Sequence, residues 1–151
     1  RINRETAPAV YDNADGAALN RQPAGRLDCD SSAGVQDLAT GALLFADRDS
    51  TLAECPEALA GSTFLRLPME GTKTLTCTAA GTVCFLTPRP DRSADTQEAA
   101  LRRAGFRKVA LREFNLGSRG DPAGFVSLYQ KTCAVGDVVT IGRWAVPVQL
   151  P

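Results

Sequence analysis

Leu75-Thr76-Cys77-Thr78-Ala79-Ala80-Gly81-Thr82-Val83-Cys84-Phe85-Leu86 is the stretch whose reading decides the fold class. Two runs rich in threonine, valine and bulky apolar residues, all at home on a pleated surface, flank a small-residue turn. A loop at Ala80-Gly81 predicts a β-hairpin. In that register Cys77 lies opposite Cys84 and Leu75 opposite Leu86, so the two thiols share a face and a cross-strand bridge is within reach. A slipped register separates them and leaves each available to Cys55 or Cys133.

The segments on either side carry the same signature. Toward the C-terminus, Thr87 to Ser93 holds two prolines, which remove ladder donors, so it reads as a loop. Asp95 with Glu98 three residues on reads as a capping box, and Gly105 as a helix stop. These bound one short helix over Thr96–Ala104. Val109–Phe114, Phe125–Lys131 and Val138–Ile141 read as strands. In the second, Phe125, Ser127 and Tyr129 face one way and Val126 and Leu128 the other. Ala134 to Asp137 is a turn, and Gly142-Arg143-Trp144 closes the last strand. Toward the N-terminus, Gly41–Ala46 reads as a strand running into a turn at Asp47 to Ser50. Pro56 to Gly61 reads as a single helical turn, and Ser62–Leu67 as a half-buried strand. Residues 1–20 are weakly patterned and read as a leader or edge segment, with the domain over residues 21–151. Many short strands, frequent turns and one small helix predict an all-β fold, a single β-sandwich or jelly roll.

Composition narrows the function. The 151 residues include five cysteines and no histidine. Without histidine there is no Ser-His-Asp or Cys-His nucleophile and no His ligand for a metal. The cysteine spacings contain no C-x2-C pair, so neither a structural zinc nor another cofactor is expected. Asp12-Asn13-Ala14-Asp15-Gly16 is not a calcium loop, because Ala14 falls on a ligand position. Lys+Arg and Asp+Glu are both 17, which gives no overall pull toward nucleic acid or an anionic membrane. No apolar run is long enough to insert in a bilayer, and Arg1 to Pro8 has no apolar signal core. Cys29, Cys55, Cys77, Cys84 and Cys133 read as disulfide material: two bridges and one spare thiol in an oxidised, secreted domain. Five buried free thiols are the alternative.

Phe45-Ala46-Asp47-Arg48, Pro56 with Leu59-Ala60-Gly61, Phe64-Leu65-Arg66, the 75–86 stretch with Asp91-Arg92, Val126 to Lys131 and Gly136 to Gly142 follow one another in a familiar order. From Leu43 to Val148 the chain resembles small β-sandwich accessory or carbohydrate-binding-like domains of secreted multidomain proteins. The resemblance implies a non-catalytic role outside the cell or at its surface. The five cysteines and the longer N-terminal part depart from that pattern.

Four residues are the candidates for ligand binding. The lone tryptophan, Trp144, offers an indole face for a sugar ring; the competing role is a core or rim residue. Arg89, Asp91 and Arg92 in the proline-rich loop offer directional hydrogen bonds to hydroxyls or an acidic glycan, against the plainer role of solvated loop charges. Asp47-Arg48-Asp49 presents the same choice, with a turn-fixing ion pair as the plain alternative. Arg119-Gly120-Asp121 matches the integrin-type tripeptide, but three residues recur by chance and Pro122 restricts Asp121. The expected function is a non-catalytic extracellular binding module for a glycan or a protein partner. The alternative is a small carboxylate-dependent polysaccharide hydrolase or lyase.

Overall fold

The computed structural model describes residues 16–111 and 125–151, with only the backbone course of residues 114–115. The calcium-like stretch before Gly16 and the Arg119-Gly120-Asp121 tripeptide lie outside them. Ten strands run through the described residues: β1 (Arg26–Asp28), β2 (Val35–Asp37), β3 (Thr63–Leu65), β4 (Lys73–Ala79), β5 (Gly81–Pro88), β6 (Arg107–Lys108), β7 (Phe114–Asn115), β8 (Phe125–Cys133), β9 (Val138–Ile141) and β10 (Val146–Gln149). A 3-10 turn at Glu57–Leu59 and one helix, α1 (Glu98–Arg103), complete them. The strands form two antiparallel sheets, ordered β1-β4-β9 and β2-β3-β10-β5-β8-β6, with β7 also on β8. The fold is an all-β sandwich with one short helix, as the sequence predicts.

The hairpin expected over residues 75–86 does not form. β4 pairs with β1 and β9, whereas β5 pairs with β10 and β8, so these consecutive strands lie in different sheets. Their burial explains the division. β4 alternates, with Lys73, Leu75 and Cys77 turned inward and Thr74, Thr76 and Thr78 outward. β5 is buried at every position. A strand with one wet face belongs to an outer layer and a strand with none to a central one. A single residue, Ala80, carries the chain between the layers.

Gly81 makes that crossing possible. Its φ is +144°, and a Cβ there would lie 2.5 Å from the Pro23 carbonyl oxygen and 2.7 Å from both Ala24 C and Gly25 N. Gly25 meets it back to back, its own notional Cβ falling 2.8 Å from Gly81 C. The approach is fastened by Gly25 N–H donating to Thr82 O and Thr82 N–H donating to Pro23 O, each at 2.8 Å.

The larger sheet is covered on both faces. Toward the small sheet, Leu65, Leu67, Val83, Phe85 and Tyr129 pack on Leu27, Leu75, Cys77, Val139 and Ile141, with Leu101 and Phe106 closing the side. On the opposite face, Phe64, Leu86, Val126, Leu128, Val146 and Val148 pack beneath Leu38, Leu44, Phe45, Leu52 and Leu59 from the 38–60 segment. The two faces foreseen for β8 are therefore correct, but both are core.

Five local expectations change. Val109–Phe114 forms no continuous strand: β6 ends at Lys108, Val109 makes an isolated bridge with Ala17, and β7 holds Phe114–Asn115. The Thr87–Ser93 loop begins later than expected, because Thr87 and Pro88 end β5 opposite Ser127 and Val126. Residues 41–46 make no regular strand; they form only isolated bridges, Leu43 to Thr51 within the segment and Phe45 to Leu67. The helix begins at Glu98 rather than Thr96, and Asp95 does not cap it: its N-cap residue, Gln97, makes no side-chain cap bond. Strand β10 runs through Pro147, between β3 and β5, where the sequence suggests none. The proline fits because β3 pairs only with Val148 and Gln149.

All five thiols are free in this structure. The expected opposition of Cys77 and Cys84 fails with the hairpin, since Cys77 lies between the sheets and Cys84 on the far face of the larger one. Residues 16–20 lie along the domain: Gln130 accepts from Asn20 N–H and donates to Ala18 O, both at 2.8 Å.

Candidate functional site

One end of the sandwich gathers charge around the turn that joins β3 to β4. The turn's peptide groups are held from both sides. Asp47 accepts the Met69 N–H at 2.7 Å and the Glu70 N–H at 3.4 Å. Lys73, only 3% exposed, donates Nζ to Met69 O at 2.9 Å and Glu70 O at 3.4 Å. Burial pulls the Lys73 ammonium below its usual pKa, against the opposing pull of Asp47, Cys29 and Glu70. The Met69 N–H holds the Asp47 carboxyl below its usual range, against slight desolvation and with help from Glu70 N–H and Arg48. With the turn's backbone satisfied, the Glu70 carboxylate is left to project outward.

Glu70 sits between two guanidinium groups. It bonds Arg48 Nη2, and Arg143 Nε donates to both its oxygens at 3.0 Å. Arg143 Nη1 reaches on to Asp95. The chain Arg48–Glu70–Arg143–Asp95 thus ties four separate segments together. All four side chains remain well exposed, so the network adds little to stability. Its consequence is orientation: forks and carboxylates are preset at one surface.

Trp144 stands next in the chain. It alone among the described non-glycine residues has a positive φ, +64°. For a bulky side chain that conformation is unusual and costs on the order of 1 kcal/mol. It is held by a hydroxyl relay: Thr87 Oγ1 donates to Trp144 O at 3.0 Å and accepts Gln97 N–H at 2.8 Å. Gln97 Oε1 accepts Gly142 N–H at 2.9 Å from the other side. The half-buried indole packs on Phe45, ring centres 5.7 Å apart at 58°, with part of its surface left to solvent.

The proline-rich loop leaves β5 at the same end, directly after Pro88. Arg89, with a side chain only 15% exposed, pairs with Asp91 at 2.7 Å. Arg89 O accepts the N–H groups of Arg92 and Ser93 at 2.9 and 3.1 Å, and the Arg92 guanidinium lies 5.3 Å from the centre of the Phe125 ring. The four sequence candidates therefore share one end of the fold. Arg89 and Asp91 are largely occupied with each other, while Trp144 joins a cluster the sequence did not disclose. Glu70, Asp95 and Arg143 were missed because they lie far apart in the chain. Asp95 has capping-box spacing to Glu98 but does not cap the helix. The pairing foreseen for Asp47 and Arg48 is present at 3.6 Å, alongside the Arg48 link to Glu70.

A concavity of about 460 Å³ opens between the sheet edges, lined in part by Arg26, Asp28, Val35, Thr63, Thr78 and Gln149. Gln149 Nε2 donates to Leu27 O at 3.1 Å along its floor. No group of three or more metal-binding side chains comes together among the described residues. No helix among them is long and apolar enough to cross a membrane.

No family model matches the chain, and no curated protein does. Among solved structures, the chain is similar in fold to a GH138 enzyme targeting pectin rhamnogalacturonan II. The TM-score is 0.57 at 15% identity, over 96% of this chain and 18% of that one. The likeness is one of fold, to less than a fifth of the length of a larger protein.

Proposed function

We propose that the domain is a non-catalytic, extracellular module that binds a glycan at the Trp144 end of the sandwich. The observation that carries this reading is the partly exposed indole, locked in a left-handed conformation beside the Arg48–Glu70–Arg143–Asp95 network. A sugar presents an apolar ring face and a rim of hydroxyls. An indole matches the first, and planar guanidinium and carboxylate groups match the second. Two cations and two anions leave the network neutral, which suits a hydroxyl-rich ligand better than a highly charged one. A fold-level likeness to part of a glycan-directed enzyme is in keeping with the reading.

Screening the domain on a glycan array, followed by calorimetric titration of the hits, tests it. Trp144→Ala and Arg143→Ala should each weaken binding at least tenfold, which corresponds to about 1.4 kcal/mol. Binding of a protein partner with no glycan hit would replace the ligand class. Binding undisturbed by both changes would move the site elsewhere.

A second reading, a carboxylate-dependent hydrolase or lyase, draws on the same likeness, because the neighbour is itself an enzyme. Glu70 and Asp95 are its acidic candidates, although both accept from Arg143. Turnover of a pectic polysaccharide that disappears with Glu70→Gln or Asp95→Asn would establish it.

A further inference from the structure

The topology brings two of the five thiols to one corner. Cys77 lies on β4, turned inward from the small sheet. Cys133 ends β8, turned toward it from the large one, and the two residues are 1% and 2% exposed. The sheets converge there because the chain crosses between them twice within a few residues: once at Ala80, and once through the turn at residues 134–137. The backbone of Cys77 is bonded to that turn, Cys77 N–H donating to Asp137 O at 2.8 Å and Gly136 N–H to Cys77 O at 2.9 Å. The turn is itself closed by Asp137 N–H to Ala134 O at 3.0 Å. Cys133 directly precedes it. On its other side, Cys133 is the register partner of Gly81, two residues beyond the end of the Cys77-Thr78-Ala79 run. Burial raises the Cys133 pKa most; Lys131 opposes it, and Cys77 adds to the rise.

As a thiol, Cys77 donates Sγ to Ala79 O at 3.1 Å. Cys29 shares the space between the sheets, and Cys55 and Cys84 lie outside it. Cys29 bonds Ser31 Oγ at 3.3 Å and bears on Lys73. Cys55 donates to Leu38 O at 3.5 Å, and Cys84 lies on the far face of the large sheet.

We propose that Cys77 and Cys133 form an inter-sheet disulfide when the chain folds in an oxidising compartment. Two thiols and one small-molecule disulfide, such as oxidised glutathione, give the Cys77–Cys133 bond and two small-molecule thiols. Both protons pass to the departing thiolates, and the glutathione disulfide is the species reduced. Burial of both sulfurs means that the bond forms during folding and that the folded, reduced domain resists later oxidation. The bridge would record the compartment in which the chain folded.

The test is refolding of denatured, reduced protein with glutathione in its oxidised and reduced forms, beside a sample refolded with dithiothreitol. Thiol titration in denaturant should count two fewer thiols in the first. A non-reduced peptide map should link the peptides that carry Cys77 and Cys133. Cys84→Ala places a single cysteine in the first peptide; fragmentation of the wild-type peptide resolves the same question if that variant folds poorly. The bridged form should melt roughly 8–15 °C higher, a gain that Cys77→Ser and Cys133→Ser each abolish and Cys29→Ser leaves intact. Equal thiol counts in the two samples, or a bridge through Cys29, Cys55 or Cys84 instead, would overturn the assignment.

Discussion

Replacing Gly81 by alanine tests the feature that sets this topology, the single-residue crossing between the sheets. Two costs follow from the structure. At φ +144° an L-residue is strained, by about 1–3 kcal/mol. The added methyl would also meet backbone at 2.5–2.7 Å, from Pro23, Ala24 and Gly25. Those atoms are main chain held by two 2.8 Å hydrogen bonds, so they cannot swing aside as a side-chain tip does. Overpacking of this kind costs about 1–3 kcal/mol. The sum, about 2–6 kcal/mol, corresponds to a fall in Tm of roughly 4–24 °C for a domain of this length. Gly136→Ala is the internal control: its φ is +92°, and nothing lies within 4 Å of a Cβ there. Thermal and urea unfolding of both variants isolates the contact from the dihedral strain. A Gly81→Ala variant no less stable than Gly136→Ala would refute the close approach of residues 23–25 to the crossing. It would also reopen the hairpin.

Two further perturbations follow from shifted ionisations. Burial raises the Cys84 thiol from 9.0 to about 12, so above pH 9 the unfolded chain loses this proton first and stability falls as pH rises toward 12. At about pH 10.5 the loss should reach about 2 kcal/mol, read as a difference in urea midpoint that flattens in Cys84→Ala; an equally steep fall in that variant would contradict the assignment. Asp47 is shifted the other way, below 3.8, so its contribution is present above that pH and disappears as pH falls through the lower folded value. Asp47→Asn should therefore narrow the stability gap between pH 6 and pH 2.5, and an unchanged gap would remove Asp47 from the turn clamp.

The candidate site was legible only in fragments. Trp144 was conspicuous as the lone indole, and Arg89, Asp91 and Arg92 as charges in a proline-rich stretch, although the sheet runs on through Thr87 and Pro88 before the loop begins. Glu70 and Asp95 carried no local signal. What gives them meaning is a guanidinium 73 and 48 residues further along, and sequence spacing contains no trace of such a meeting. Asp95 even carried a misleading signal, since Asp95 and Glu98 have capping-box spacing. The side chain bonds Arg143 instead, because an exposed fork is a better partner for a carboxylate than one peptide N–H.

Period-2 patterning and turn residues determined that the chain is a β-sandwich with one helix, because alternation and glycine punctuation are local properties of the backbone. They also placed β8 and β9, and both faces of β8. They did not determine which strands pair. Cys77 and Cys84 flank a small-residue turn whether the strands close as a hairpin or part into two sheets. The choice falls to the crowding of residues 23–25 against Gly81 and to the burial of β5 on both faces. Likewise, a proline argues against a central strand until β3 withdraws from that position, as it does at Pro147. Propensity acts over a few residues, whereas pairing, layer order and the meeting of charges at Trp144 are decided by contacts between segments that only the folded chain brings together.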